Sequence, residues 1–141
     1  MSAEEENVKI LRKGYEIWHA SKAGADGVAH WIGLMADGAI SWNSLAGGTA
    51  GLEFTRCCRS KQEVLRYFVE MTRDWEMLSY TAQEFVAQGD RVVMLGHCAW
   101  KNRKTGKTAS TPKADVIRLR DGKIVEFLEF YDTAVAIAAT T

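Results

Sequence analysis

The chain has few residues that break or cross-link a fold: one proline and three cysteines among 141 residues. With a single proline (Pro112) and no Gly/Ser-rich stretch there is no recognisable linker, so we expect one domain spanning residues 1–141. The odd cysteine count, with Cys57 and Cys58 adjacent, fits neither a disulfide framework nor metal-binding or redox spacing. We therefore expect no metal site, and a reducing, cytoplasmic setting.

Charge of one sign is also lacking, because 18 basic residues balance 18 acidic ones and the formal net charge is +0. No basic stripe is present that could follow a phosphate backbone, so we expect no nucleic-acid partner. No apolar run approaches the roughly 20 residues that span a bilayer. The acidic start at residues 2–6 does not resemble a secretion signal. We therefore expect no membrane association.

Aromatic and other apolar residues are plentiful, since five tryptophans and a 47% hydrophobic content can fill a substantial core. Their spacing is mostly helical before residue 79 and typical of strands after it. The first part predicts a helix over 3–23, a second short helix capped by Asp26, and a third opened by Ser60 with an apolar stripe that reaches Leu78. Helices followed by a run of antiparallel strands predict an α+β domain.

The predicted strands are separated by glycine-containing turns. A short one covers 39–45, and the longer ones cover 80–87, 91–102, 108–120 and 123–131. The last hairpin has two possible registers, which differ in the face that each side chain occupies. We favour a type I turn with Gly122 in a left-handed bulge, pairing Leu119 with Lys123. That register places Asp115 and Glu129 on one apolar, interior face, as a ligand cavity requires.

For the preceding strand, the sequence does not decide which face points into the interior, because both faces are apolar. Either His97 or its neighbours Cys98 and Trp100 can face the interior, and alternation does not decide between them. If Met94 and Trp100 lie outside with Leu128, the outer face of the sheet is too apolar for water and predicts a two-fold homodimer.

The order of elements and the segments "LMADGAISW" (34–42) and "ADVIRLRDGKIVEFLEFYDTA" (114–134) resemble the SnoaL-like and ketosteroid-isomerase-like branches of the nuclear transport factor 2-like superfamily. The resemblance covers nearly the whole chain. It implies a cone-shaped, curved, largely antiparallel (mixed) sheet that packs against three helices and encloses a cavity. It also implies dimerisation through the outer sheet face.

Site residues carry over from this resemblance position by position. The general base of the ketosteroid isomerases falls on Asn43, whose amide cannot accept a proton at neutral pH. The second cavity carboxylate falls on Asp115, and a sheet aspartate is also the proposed acid/base of the polyketide-cyclase branch. The helix-1 tyrosine corresponds to Tyr15, and the superposition turns His97 toward the cavity.

Two functions are compatible with these residues. The first is a cofactor-independent isomerase- or cyclase-like enzyme that moves a proton on a hydrophobic carbonyl compound, with Asp115 as acid/base and His97 as its partner. The second is a non-catalytic carrier or sensor of a small hydrophobic molecule. In both, the ligand is expected to contact a set of mainly aromatic residues: Tyr15, Trp42, Asn43, Phe54, Phe127, Glu129 and Tyr131.

Overall fold

The computed structural model describes every residue of the chain, 1–141. Its helices are α1 (Ala3–Ala20), α2 (Ala25–Leu34), α3 (Lys61–Asp74) and α4 (Thr133–Ala138), with a 3-10 helix over Glu53–Thr55. Its strands are β1 (Ser41–Ser44), β2 (Trp75–Gln88), β3 (Arg91–Asn102), β4 (Thr108–Arg120) and β5 (Lys123–Tyr131). None of the helices combines the length and the apolar character needed to cross a membrane.

The five strands form one sheet in the order β1-β5-β4-β3-β2. Neighbouring strands are antiparallel except β1, which pairs parallel to β5. One apolar core joins this sheet to the first three helices, through buried residues such as Leu11, Trp31, Phe68 and Ile117. The predicted α+β class, with a mixed sheet against three helices, is confirmed.

Serine caps start the two longest helices, as their sequences predict. Ser2 Oγ accepts the backbone N–H of Glu5 at 3.1 Å, and Ser60 Oγ accepts that of Glu63 at 3.2 Å. Each hydroxyl satisfies one of the N–H groups that the first helical turn leaves without a partner. The caps therefore fix where α1 and α3 begin.

Two helix boundaries differ from the prediction. Helix α1 ends at Ala20 instead of near Ala23, because Lys22 and Ala23 have φ values of 51° and 59° that a right-handed helix cannot contain. Helix α2 begins one residue before Asp26, whose side chain therefore makes no cap. The carboxylate lies in the first turn, where its negative charge interacts favourably with the positive end of the helix dipole.

The predicted continuation of α3 to Leu78 is wrong. The helix ends at Asp74, and β2 begins at Trp75, opposite Asn102 of β3. Strand pairing satisfies the backbone groups of this segment, and Leu78 is 42% exposed. The apolar spacing that suggested a longer helix belongs to an inward-facing row of the strand, which includes Met77.

The β4–β5 turn is tighter than predicted. Arg120 pairs with Lys123, and Asp121 and Gly122 have φ values of 52° and 74°. Two positive φ values in a two-residue loop are those of a type I′ turn, which suits the twist of a hairpin. The extra residue is Val125, so the predicted bulge exists but lies inside β5 and not at the turn.

The displaced bulge preserves the predicted interior face of the hairpin. Beyond it Asp115 lies opposite Glu129, and Ile117 lies opposite Phe127. These four side chains are buried, which confirms the inward orientation of both carboxylates. Ile124 is also buried, although the predicted pairing of Leu119 with Lys123 would turn it to the outer face.

The outer sheet face has a different composition from the predicted one. Met94 is fully buried, and Trp100 packs on the same core, so neither lies outside. A row of apolar residues crosses the four long strands on the other face instead: Val86, Val93, Val116 and Leu128 are successive partners in the sheet. Of the three predicted apolar residues only Leu128 lies on the outer face, which carries this apolar row beside charged residues such as Arg118 and Glu126.

Replacing Gly96 by Ala is expected to destabilise the fold by roughly 1–3 kcal/mol, the usual range for overpacking a core. A Cβ at this position in β3 would collide with the backbone oxygen of Thr81 on β2, which cannot move without breaking the ladder. Urea denaturation measures the loss. The matched control is Gly33→Ala in α2, where a Cβ meets nothing within 4 Å. Equal stability of both variants would contradict the prediction.

Candidate functional site

A cavity lies between the sheet and the helices. The space open to the centre of a water-sized molecule is about 90 Å³. Because one water needs about 10–15 Å³ on this measure, the cavity holds several waters or one small ligand. Of its 20 lining residues 17 are hydrophobic, many of them aromatic, including Trp18, Trp31, Trp100 and Tyr131. The wall is thus largely apolar, as small-molecule sites usually are.

Six of the residues predicted to contact a ligand lie on the cavity wall: Tyr15, Trp42, Phe54, Phe127, Glu129 and Tyr131. They come from α1, β1, the 3-10 helix and β5. The rings of Trp42 and Phe127 stack with their centroids 3.9 Å apart and their planes 11° apart. The stacked pair forms part of the apolar wall, and its contact with a ligand stays a prediction.

Asn43 does not line the cavity. Along β1 the side chains of Trp42 and Ser44 are buried, so Asn43 lies on the opposite face of the strand. Its amide nitrogen donates to Ser41 Oγ at 2.8 Å. The expected contact of Asn43 with a ligand is therefore wrong.

His97 also lies outside the cavity, contrary to the prediction. The inward residues of β3 include Met94 and Cys98, so His97 lies on the outer face. There its Nε2 is 3.3 Å from Ser110 Oγ, also outside the cavity. The family resemblance placed His97 toward the cavity, which is the wrong one of the two orientations that the sequence left open. His97 cannot be the partner of Asp115.

Asp115 is fully buried and lies behind the cavity wall, to which it does not itself contribute. Its Oδ2 accepts hydrogen bonds from Tyr15 OH at 2.6 Å and Tyr80 OH at 3.1 Å. Its Oδ1 makes no hydrogen bond but forms an ion pair with Lys113 Nζ at 3.2 Å. A buried carboxylate needs such partners, and these hold Asp115 in a fixed position.

Glu129 lies on the cavity wall itself and is 6% exposed. Tyr67 OH donates to its Oε1 at 2.7 Å, and Lys113 Nζ donates to its Oε2 at 3.4 Å. Glu129 is therefore the carboxylate that a ligand can reach, while Asp115 is reached only through Tyr15, Tyr80 and Lys113.

Lys113 connects the two carboxylates. It points inward from β4, its side chain is 9% exposed, and its ammonium lies 5.1 Å from the ring centre of Tyr80. Burial by itself lowers the pKa of Lys113, but the charges of Asp115 and Glu129 outweigh burial and raise the pKa well above its ordinary value. The lysine therefore stays protonated at neutral pH.

Burial raises the pKa of Glu129, and the neighbouring charge of Asp115 adds to this, against the opposing effect of Lys113. A carboxyl group with a raised pKa is a better proton acceptor near neutral pH than an ordinary one. Burial also raises the pKa of Tyr131 to about 12 and that of Tyr67 well above 10.0. Both phenols remain hydrogen-bond donors over the physiological range.

Three residues of the site were not predicted from the sequence: Lys113, Tyr67 and Tyr80. A signal for Lys113 was available, because it lies two residues before Asp115 and strand side chains two apart share a face. Tyr67 is part of the apolar side of α3, where nothing in the sequence distinguishes a hydrogen-bonding tyrosine from core. Tyr80 lies at the predicted start of a strand that begins five residues earlier.

Comparison with known proteins identifies relatives of the whole domain. The family model for the SnoaL-like domain matches residues 12–127. No protein with a curated function matches the sequence significantly. An NTF2-like protein of unknown function from Burkholderia pseudomallei superposes with a TM-score of 0.83 at 23% identity, covering 100% of this chain and 99% of that one.

Two further solved structures share the fold. TerC, co-crystallised with polyporic acid, gives a TM-score of 0.80 at 18% identity and covers 96% of this chain and 98% of its own. A candidate SnoaL-like polyketide cyclase from Jannaschia sp. CCS1 gives 0.79 at 15% identity, with 99% and 95% covered. At these identities the likeness establishes the fold, which has the expected nuclear transport factor 2-like architecture.

Proposed function

Because the chain belongs to the SnoaL-like domain family, we propose that it is an acid/base enzyme that moves a proton on a small hydrophobic carbonyl compound. The observation that carries the proposal is the buried group of Lys113, Asp115 and Glu129 at an otherwise apolar cavity. A site that only holds an apolar molecule gains nothing from three buried ionisable groups, whose desolvation is costly.

The proposed mechanism needs no group beyond these side chains. Glu129 takes a proton from the carbon next to the carbonyl and returns it at the same or another position. The carbonyl oxygen gains negative charge in this step and is stabilised by donors on the wall. Asp115 acts as a positioning residue, because it contacts Tyr15 and Lys113 and does not line the cavity.

Solvent-proton exchange tests the proposal. The purified chain is incubated in deuterated buffer with cyclic ketones, β-keto esters and polyketide-like aromatic compounds. Deuterium incorporation above the buffer rate, measured by mass spectrometry, is the expected result. TerC, the fold neighbour that was co-crystallised with polyporic acid, supports including ring compounds in the screen.

A carrier or sensor is the second candidate function. The observation in its favour is the wall itself, since 17 of 20 lining residues are hydrophobic and Asp115 is enclosed behind it. The same screen separates the two candidates. A compound that binds tightly but exchanges no proton, with no exchange in any other compound, would replace the enzyme with the carrier.

We also propose that the chain is a two-fold homodimer formed through the outer sheet face. Leu95 and Phe130 are 38% and 37% exposed there, close to the apolar row that ends at Val86. Light scattering at micromolar concentration is expected to give twice the chain mass of 15.7 kDa. Leu95→Lys should yield the monomer, whereas Leu65→Lys on α3 should not. A monomeric parent chain would contradict the proposal.

A further inference from the structure

A second depression, here called the trough, lies between helices α2 and α3 and opens to solvent. Its lining residues come from the segments 22–33 and 65–77 and from Arg103. About 860 Å³ of it is open to the centre of a water-sized molecule, against about 90 Å³ in the cavity. It shares only Phe68 and Trp75 with the wall of the cavity. The trough is therefore separate from the candidate site described above.

The side of α2 that borders the trough carries small residues at four-residue steps: Ala25, Ala29 and Gly33. Residues four apart lie on one face of a helix. Such short side chains do not fill the space beside α3, and even a Cβ added at Gly33 would meet nothing within 4 Å. An ion pair joins the two helices at one end, where Asp37 Oδ1 and Lys61 Nζ lie 2.9 Å apart. The helices therefore run antiparallel, with the start of α2 beside the end of α3.

The side of α3 that borders the trough is apolar and exposed. Leu65 and Val69 lie one turn apart on it and are 45% and 59% exposed. The floor between them and the sheet consists of Phe68, Trp75 and Met77, which are buried. Large aliphatic side chains that stay exposed beside an aromatic floor are typical of a surface that a partner covers.

Positive charge is concentrated at the end of the trough where α2 begins. Lys22 and Arg103 line this end, and both are exposed. Each uses one N–H group on the backbone: Lys22 Nζ donates to Leu78 O at 3.1 Å, and Arg103 Nε donates to Thr72 O at 3.2 Å. The other N–H groups of both side chains are free to bind a carboxylate.

The acidic residues nearby do not neutralise this end. Glu76 lines the trough but lies opposite Lys101 in the sheet. Asp74 accepts two hydrogen bonds from Arg73, and Asp26 does not line the trough. The trough therefore combines an apolar middle with a basic end, and the partner that complements it is apolar with an acidic end.

We propose that the trough docks an amphipathic helix of a partner protein. The apolar side chains of that helix cover Leu65 and Val69, and acidic residues at one of its ends bind Lys22 and Arg103. Along α3 the trough extends from Leu65 to Thr72, about 10 Å or two helical turns. A partner helix of about two to three turns, with apolar residues at three- and four-residue steps, matches this length.

The other occupants fit the trough less well. A small ligand is usually enclosed on most sides, whereas the exposed Leu65 and Val69 leave the trough open to solvent. A second copy of the chain is expected at the outer face of the sheet, on the side away from the helices, and leaves the trough free. A helix from another protein is therefore the occupant that size, exposure and charge favour.

A displayed peptide library tests the inference. Each member is an alanine-rich helix of roughly 14 residues, about four turns. Apolar residues are varied at positions i, i+3, i+4 and i+7, and Glu, Gln or Lys is varied at both ends. Members are selected for binding to the parent chain and against binding to the variant Val69→Glu. The expected result is enrichment of helices that have Glu at one end.

Fluorescence anisotropy then measures the affinity of an enriched peptide. Val69→Glu places a charge in the apolar contact and should weaken binding roughly 10-fold or more, the factor that corresponds to burial of one aliphatic side chain. The matched control Gln88→Glu adds the same charge at the far end of β2 and should bind as the parent chain does. Urea denaturation of both variants verifies that they are folded.

The variant Lys22→Gln/Arg103→Gln tests the charged contact. It should bind the peptide about 2- to 5-fold more weakly for each ion pair lost, the range for exposed pairs. A matched peptide with Gln in place of the terminal Glu should bind the variant and the parent chain equally. The control Lys9→Gln/Arg91→Gln removes the same charge from exposed positions outside the trough and should leave the affinity unchanged.

Three results would overturn the inference: no peptide that prefers the parent chain to Val69→Glu, enrichment without acidic ends, or an unchanged affinity in Lys22→Gln/Arg103→Gln. An assembly larger than a dimer that Leu65→Lys reduces to a dimer would also overturn it, because a second copy of the chain would then fill the trough. The inference is independent of the proposed enzyme function, since none of these measurements uses a ligand of the cavity.

Discussion

Replacing Glu129 by Gln is expected to lower deuterium incorporation into a carbonyl substrate by about 100-fold or more, the usual contribution of a positioned acid or base. The substitution keeps the length and hydrogen-bonding capacity of the side chain but removes its ability to take a proton. Ligand affinity, measured by calorimetry, should change much less, because the apolar wall is unaltered. The loss should therefore appear in the exchange rate of the saturated chain.

The pH dependence gives a second readout of the same group. Exchange requires the ionised carboxylate of Glu129, whose pKa is raised above its ordinary value of 4.5 by burial. The rate is therefore expected to rise with pH through this higher pKa and then level off. Glu129→Gln should remove that rise. An unchanged profile and rate in the variant would show that Glu129 is not the base.

Asp115→Asn is the informative comparison. From the sequence, Asp115 is the predicted acid/base, and its loss would remove most of the turnover. The structure encloses it behind Tyr15, Tyr80 and Lys113, so its loss is expected to reduce exchange less than the loss of Glu129. A larger effect at Asp115 than at Glu129 would favour the original assignment.

The bounds of the last three strands were predictable to the residue because glycine-containing turns separate them. Asp121 and Gly122 mark the final turn, but the favoured type I turn was wrong, because this aspartate-glycine pair adopts positive φ at both positions. The start of β2 was not predictable, because Trp75 continues the apolar stripe of α3. A short apolar run is compatible with both the helical and the strand periodicity, and only pairing with β3 decides between them.

The site was predictable where one face of a strand is polar and the other apolar. That contrast placed Asp115 and Glu129 inside, and a bulge at Val125 did not disturb it. In β3 both faces are apolar, so His97 could not be placed from the sequence. Lys113 was missed because lysines in strands are usually exposed, and its burial depends on two carboxylates brought in by the fold.

Replacing Lys113 by Met is expected to destabilise the fold by about 3–5 kcal/mol, the usual cost of removing one partner from a buried ion pair. Methionine fills a similar space, so the loss reports the charge and not a cavity. Asp115 would lose the ion pair at 3.2 Å on its Oδ1, and Glu129 would lose its donor at 3.4 Å. Urea denaturation at neutral pH measures the change.

Adding Asp115→Asn to Lys113→Met should recover part of this loss, because the carboxylate of Asp115, which Lys113→Met leaves without its ion pair, is then neutral. Asp115→Asn alone completes a double-mutant cycle, whose coupling energy isolates the interaction between the two side chains. If instead the two single losses simply add, the ion pair contributes nothing that depends on both partners, and the central contact of the site is wrong.

The loss of stability in Lys113→Met should depend on pH, and the direction of the pKa shift of Glu129 determines how. A carboxyl group whose pKa is raised by folding stabilises the native state below its unfolded pKa, and this stability is lost as pH rises through the folded pKa. Removing Lys113 takes away the charge that lowers the pKa of Glu129, so that pKa should rise further. The deficit is therefore expected to be smallest near pH 4.5 and to grow toward neutrality. A deficit independent of pH would point to lost packing of the lysine stem.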